Sequence, residues 1–246
     1  MKELFMRLIK TTLITLTSIL ILQSPIHADV APSKALTQEK QQKLSPKDVL
    51  NSLKEGNQRF LSDKRRTFNY GKEMKVTSKK GQFPKAVIFN CIDSRSIAEI
   101  LFDQGLGSIF VSRIAGNVSS PDVVGGMEFA TKFAGSSLIV VMGHTLCGAV
   151  QGACMGGGEG DLGHLLAKIK PAVEMTQKES DKPLNCSNYE VVDKIAKQNV
   201  INQVKAVKES PIVKSLIEKK QIEVVGAMHD IGTGEVHFFD VTGQDI

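Results

Sequence analysis

The chain has no tryptophan and only two tyrosines in 246 residues. Flat rings for stacking bases are scarce, which argues against binding single-stranded nucleic acid. A one-sided charge is also missing. The 31 Lys and Arg exceed the 26 Asp and Glu by five, too small an excess to imply a nucleic-acid partner. Four cysteines are too few for a disulfide scaffold, so their placement matters more than their number. With 21 Gly and 8 Pro, collagen and low-complexity disorder are excluded. The same composition, 41% hydrophobic and 23% charged, excludes a multi-span membrane protein, and the apolar stretch Thr11–Leu22 is short of the roughly 20 residues of a spanning helix.

That stretch follows Lys2, Arg7 and Lys10 and precedes Pro25 and the small residue Ala28. A basic start, an apolar centre and a small-residue exit describe a secretory signal peptide over residues 1–28. Its removal takes three basic residues and Glu3, lowering the net charge from +5 to +3. It would leave no stable membrane anchor. The sequence therefore predicts an exported protein, bacterial and periplasmic, in which unpaired thiols need protection, for instance by a metal. Residues 29–44 are polar and aperiodic and read as a tether, with one domain over 45–246.

Within the body, Ser45-Pro46-Lys47-Asp48 is a helix start, and Val49, Leu50, Leu53, Phe60 and Leu61 roughly line one helical face. Lys64 to Lys80 is basic and irregular. Three nearly continuous apolar runs follow, Ala86–Asn90, Ser108–Ser112 and Ser137–Met142, as expected for strands covered on both faces. Helical segments near Ile97–Phe102 and Pro121–Phe133 separate them. Beyond Gly148 the pattern turns helical, with segments over Asp161–Gln177, where Pro171 kinks or ends a helix, and Asn188–Lys208. A hairpin-like pair, Ile222–Met228 and Glu235–Asp240, closes the chain. The class is α/β, a central mostly parallel sheet flanked by helices.

Ligands in such sheets collect beyond the carboxyl ends of strands. The first strand ends in Cys91-Ile92-Asp93-Ser94-Arg95 and the third in Gly143-His144-Thr145-Leu146-Cys147-Gly148. Two thiolates and one imidazole suit zinc, and three protein ligands leave the fourth tetrahedral position open for chemistry. A Cys91–Cys147 disulfide is the rival, but it leaves His144, Asp93 and Arg95 unexplained. Arg95 can clamp Asp93 bidentately and keep it ionised. Asp93 could instead swing in as a fourth ligand. Arg113 and Asn117, after the second strand, could contact an oxyanion or cap the next helix. Cys154 and Cys186 could form a disulfide or remain two buried thiols. His164 and His229 are proton-carrying candidates by residue type alone.

Taken together, Cys-x-Asp-x-Arg, Arg-x-x-x-Asn and Gly-His-x-x-Cys-Gly, with the leading segment Leu53–Phe60, resemble β-class carbonic anhydrase, nearest to exported bacterial members. The resemblance covers Ser45 to Ile246. It implies the β-carbonic anhydrase fold and hydration of carbon dioxide to bicarbonate and a proton, by attack of a zinc-held hydroxide. It implies one zinc per chain on Cys91, His144 and Cys147, with Asp93 and Arg95 as the catalytic dyad. Gln82 matches a substrate-reaching glutamine of the partner subunit in the plant-like branch. Gly148 matches a glycine whose backbone approaches substrate, and Phe110 and Phe129 match pocket walls. A homodimer or higher homo-oligomer is implied. Some relatives carry an inhibitory bicarbonate site of Trp, Arg and Tyr; here Ile88 and His229 stand at two of those positions and only Arg113 remains, so an open site near neutral pH is expected. The alternatives are a CS2 or COS hydrolase on the same scaffold and a zinc-stabilised sensing module without turnover.

Overall fold

The computed structural model describes residues 35–246. The expected signal peptide lies outside them. Five strands form one sheet: β1 (Ala86–Asn90), β2 (Ile109–Arg113), β3 (Leu138–His144), β4 (Glu223–His229) and β5 (Val236–Phe239), in the order β2-β1-β3-β4-β5. Every pairing is parallel except β4 with β5. The chain leaves β1 for β2 on one side and returns to place β3 on the other. The topological switch point therefore opens beyond the carboxyl ends of β1 and β3, where such sheets bind ligands.

All residues of β1 and β3 are buried, which explains why their sequences are continuously apolar rather than alternating. The pleat sends alternate side chains to opposite faces. Val87, Phe89, Ile139 and Val141 pack with Val192, Ile195, Ala196 and Val200 of the long helix Tyr189–Lys208. Ile88, Leu138, Val140 and Met142 pack on the other face with Val49, Leu50 and Leu53 of the helix Pro46–Leu61. That helix starts with a full capping box, Ser45 Oγ accepting from the Asp48 N–H and Asp48 Oδ2 accepting from the Ser45 N–H. Gly143 lets the long helix lie close to β3, since a Cβ there would stand 2.7 Å from Val200 Cγ2.

Three expectations need correction. The basic stretch Lys64–Lys80 contains a helix, Tyr70–Lys80, capped by Asn69 and tied to the body by buried Glu73, which accepts the Leu106 N–H. The tether expected at 29–44 is, over its described part, a docked segment. Its short helix Gln38–Gln42 buries Gln41, whose amide donates to the Pro84 and Ala134 carbonyls. The helix expected over Asp161–Gln177 is two, Gly160–Ala167 and Lys170–Lys178, with Pro171 in the first turn of the second. Among the described residues no helix is long and apolar enough to cross a membrane.

Candidate metal centre

Cys91 is the first residue after β1, His144 is the last of β3, and Cys147 precedes the helix Gly148–Cys154. Because β1 and β3 are parallel neighbours, both loops leave the sheet on the same rim. The ligand atoms of Cys91, His144 and Cys147 all lie within 4.8 Å of one another, and all three residues are buried. Both thiols are free, which removes the Cys91–Cys147 disulfide. Cys154 and Cys186 are bonded to each other.

The imidazole is set for ligation. His144 Nδ1 donates to the Thr145 carbonyl at 2.8 Å, which fixes the tautomer and leaves a lone pair on Nε2. Nε2 is buried and has no hydrogen-bond partner among the described residues. A buried unpaired nitrogen costs free energy unless something fills the gap. Two sulfurs and one such nitrogen fit a borderline-soft divalent ion, zinc above all.

The electrostatics agree. The Cys91 thiol is pulled down to about 4, first by a hydrogen bond from the Cys147 side chain, against burial, and then by His144 and the Gly116 N–H. Cys147, which gives that hydrogen bond, is pushed up, with burial and the Cys91 charge adding to the effect. Burial pulls His144 down, but the Cys91 sulfur beside it and the charge there outweigh it, so its net shift is upward. The trio thus concentrates negative charge and protons that a divalent cation would displace.

Beside it, Arg95 donates to Asp93 three times: N–H to Oδ1 at 2.9 Å, Nε to Oδ1 at 3.0 Å and a terminal nitrogen to Oδ2 at 2.8 Å. The Arg95 side chain holds the Asp93 carboxyl well below the usual range, burial opposing it only in part. Asp93 Oδ2 stands 4.0 Å from His144 Nε2, beside the Cys91, His144 and Cys147 cluster. Arg113 is a brace: it donates to the Cys91 carbonyl at 3.0 Å and the Asp93 carbonyl at 2.6 Å. Asn117 is buried with a positive φ of 42°, and its Nδ2 has no partner among the described residues. Ile88 lies fully buried, and Arg113 spends its Nε and one terminal nitrogen on backbone carbonyls.

Gly148 directly follows Cys147, and the space off its Cα is open. Gln82, Phe110 and Phe129 are not brought to the trio within one chain. Gln82 precedes the amino end of β1, whereas Cys91 follows its carboxyl end. Phe110 is level with Val87, four residues before Cys91, roughly 13 Å along the strand. Phe129 packs edge-on against Phe110 and is 57% exposed. His164 is exposed; His229 is buried beside the site, with Nδ1 3.2 Å from Ser96 Oγ.

Two partners of the loops were not readable from the motifs. Asp193 accepts the Leu146 N–H at 2.8 Å, and Asn199 donates to the Gly116 carbonyl at 2.8 Å. Both lie on the long helix, and no local signal in the sequence marks them.

An α/β sheet carrying a buried Cys-His-Cys cluster at its switch point has a donor set that could hold a metal ion. The carbonic anhydrase family model matches residues 86–236. Carbonic anhydrase 2 of Mycobacterium tuberculosis is 43% identical over 118 residues, which is 48% of this chain and 57% of that protein. The Candida albicans carbonic anhydrase is 30% identical over 197 residues, 78% of this chain and 68% of that one. Among solved structures, a tetrameric β-carbonic anhydrase of Sordaria macrospora superposes with a TM-score of 0.62 at 27% identity, covering 68% of this chain and 85% of that chain. Coccomyxa β-carbonic anhydrase in complex with acetazolamide gives 0.61 at 26%, covering 76% and 84%. The chain belongs to the carbonic anhydrase family, in its β class. It spans little more than half the length of the mycobacterial relative.

Proposed function

We propose that the protein catalyses the reversible reaction CO2 + H2O ⇌ HCO3− + H+, with one zinc ion per chain held by Cys91, His144 and Cys147. The observation that carries this reading is the convergence of those three ligand atoms beside a carboxylate clamped by a guanidinium. Zinc, when bound, supplies a Lewis acid that lowers the pKa of water from 15.7 to about 7. The chain's own residues orient the reactants. Asp93, kept ionised by Arg95, can only accept a hydrogen bond, so it takes one from the reacting water and turns a lone pair toward the carbon of CO2. Carbon dioxide is apolar and favours a dry wall, the role of Phe110 and Phe129, while bicarbonate lies near Gln82 and the backbone of Gly148.

Since Gln82, Phe110 and Phe129 stand away from their own chain's trio, they serve the trio of a second copy. The working unit is then a homodimer or a larger assembly. The apolar stretch and small-residue exit before Asp29 support export to the bacterial periplasm, with residues 1–28 removed.

Zinc content and stopped-flow CO2 hydration on the same sample test the proposal, with Cys91→Ser alongside. One zinc per chain with rapid hydration is expected, and Cys91→Ser should lose both. Zinc-replete protein that leaves CO2 unhydrated would overturn the enzymatic reading.

A further inference from the structure

Two segments stand against the sulfur ligands, the turn between His144 and Cys147 and the stretch after β2 that faces Cys91, and each contains a residue in the left-handed backbone region latched from the long helix Tyr189–Lys208. Leu146, between His144 and Cys147, has φ 58°, which is uncommon for a leucine. Its N–H is held by Asp193 Oδ1 at 2.8 Å. Gly116, with φ 66°, donates its N–H to Cys91 Sγ at 3.2 Å. A glycine there is free to rotate away, and no larger residue fits, because a Cβ would stand 2.6 Å from Ile169 Cδ1. The Gly116 carbonyl accepts from Asn199 Nδ2 at 2.8 Å. Asn199 is itself fixed, since its Oδ1 accepts from Gln203 Nε2 at 3.2 Å. Gln203 Oε1 in turn accepts the N–H and hydroxyl of Ser119 at 2.8 and 2.7 Å.

We propose that Asp193 and Asn199 are positioning residues for the two thiolate ligands, Asp193 setting Cys147 through the Leu146 turn and Asn199 setting Cys91 through Gly116, whose carbonyl it holds and whose N–H meets the sulfur. The proposal rests on the reading of Cys91, His144 and Cys147 as a metal centre, and concerns residues that touch neither metal nor substrate. Asn199 and Gln203 are buried, and a buried amide in an apolar helix interface persists only where its hydrogen bonds are made. Here those bonds end on Gly116, the residue whose own N–H faces a ligand sulfur. Partners that orient metal ligands typically change metal affinity 10- to 100-fold when removed. The two latches lie six residues apart, about 9 Å along the helix, so one rigid element fixes both segments relative to each other.

The test uses the full protein loaded with zinc or with cobalt(II), comparing the parent with Asp193→Ala, Asp193→Asn and Asn199→Leu. Zinc release to a chromophoric chelator, read well below the unfolding temperature, should be about tenfold faster or more in Asp193→Ala and Asn199→Leu. Asp193→Asn should stay near the parent rate, because its amide oxygen still accepts the Leu146 N–H. In the cobalt form, Asn199→Leu should move the sulfur-to-metal charge-transfer band to lower energy as Cys91 loses its N–H donor. Variants that melt earlier but release zinc at the parent rate would overturn the proposal, as would Asp193→Asn failing like Asp193→Ala. The Asp193 pair sits at a half-buried position and decides the matter even if Asn199→Leu does not fold. A parent that takes up no zinc sinks the metal reading itself, whereas a parent that binds normally beside unaltered variants sinks this proposal alone.

Discussion

Asp93 accepts from the Arg95 fork on both carboxylate oxygens, which holds its carboxyl well below the usual range and keeps it an acceptor near neutral pH. An amide at this place would offer a donor on one side and cannot fix the direction of a water's lone pair. Asp93→Asn is therefore expected to lower CO2 hydration about 100-fold, in the range of a lost acid–base group, while zinc content stays at the parent level. Stopped-flow rates with metal analysis check both halves, and a variant that also loses zinc would make Asp93 a ligand instead. His229 makes a second case. Burial pulls its pKa down to about 4, with the nearby His144 adding to the effect. The unfolded chain, with an ordinary His near 6.5, binds a proton that the folded chain refuses between those values. Stability is then fully present above about 6.5 and falls as pH drops toward 4. His229→Gln should flatten that slope, read as urea midpoints of zinc-loaded protein across pH 4 to 7. An unchanged slope would place the titration elsewhere. The residues legible in the sequence, Cys91, Asp93, Arg95, His144 and Cys147, share one property: each is a near neighbour of another inside a short motif at a strand end. Asp193 and Asn199 act across 47 and 83 positions, from a helix where a polar residue reads as solvent-facing. Only packing shows that they point inward.

At the level of elements, β1 and β3 were legible because double burial writes itself as an unbroken apolar run. The helix Tyr70–Lys80 was not, because its four lysines break the apolar pattern and its Tyr70, Met74 and Val76 stay exposed. It is held by a cap and one buried carboxylate rather than by an apolar face. The helix Gly148–Cys154 carries the metal loop at its start and the Cys154–Cys186 disulfide at its end. Gln151 on the same helix donates to the Cys186 carbonyl, so this element is fastened twice to the segment that leads into the long helix. The bridged cysteines are 32 positions apart. Closing a loop of that length restricts the unfolded chain by about 3–4 kcal/mol on chain-entropy grounds. For a chain of this size that corresponds to a melting temperature lower by about 10 °C after reduction. The double variant Cys154→Ser with Cys186→Ser should melt at the temperature of the reduced parent and ignore reductant. A parent indifferent to reductant would mean that the bond does not contribute to stability.

Across the whole molecule the apolar surface is unevenly spread. β2 is an edge strand, and an open edge invites pairing or cover. Over it stand Phe110, half-buried, and the aromatics Phe129 and Phe133, 57% and 75% exposed, with ring centroids 6.3 and 6.2 Å apart in sequence. Three adjoining rings at an unpaired sheet edge are more than scattered surface hydrophobes, and contiguous patches of this kind mark interaction sites. Under the proposed function Gln82 also calls for a second copy, because it lies beyond the end of β1 opposite its own chain's Cys91. If two chains cover each other's β2 edge, assembly and activity are linked: separating the chains should strip each trio of its apolar wall without touching its ligands. Phe133→Glu places a charge in the most exposed ring and tests this directly. It is expected to shift the protein toward monomer in light scattering coupled to size exclusion, to keep one zinc per chain, and to lower CO2 hydration by at least tenfold, since a pocket lost with its partner removes substrate positioning. Raising the protein concentration should recover activity in parallel with dimer. A monomeric Phe133→Glu variant with the parent's turnover would show that each chain completes its own site, and the roles given to Gln82, Phe110 and Phe129 would fall with that result.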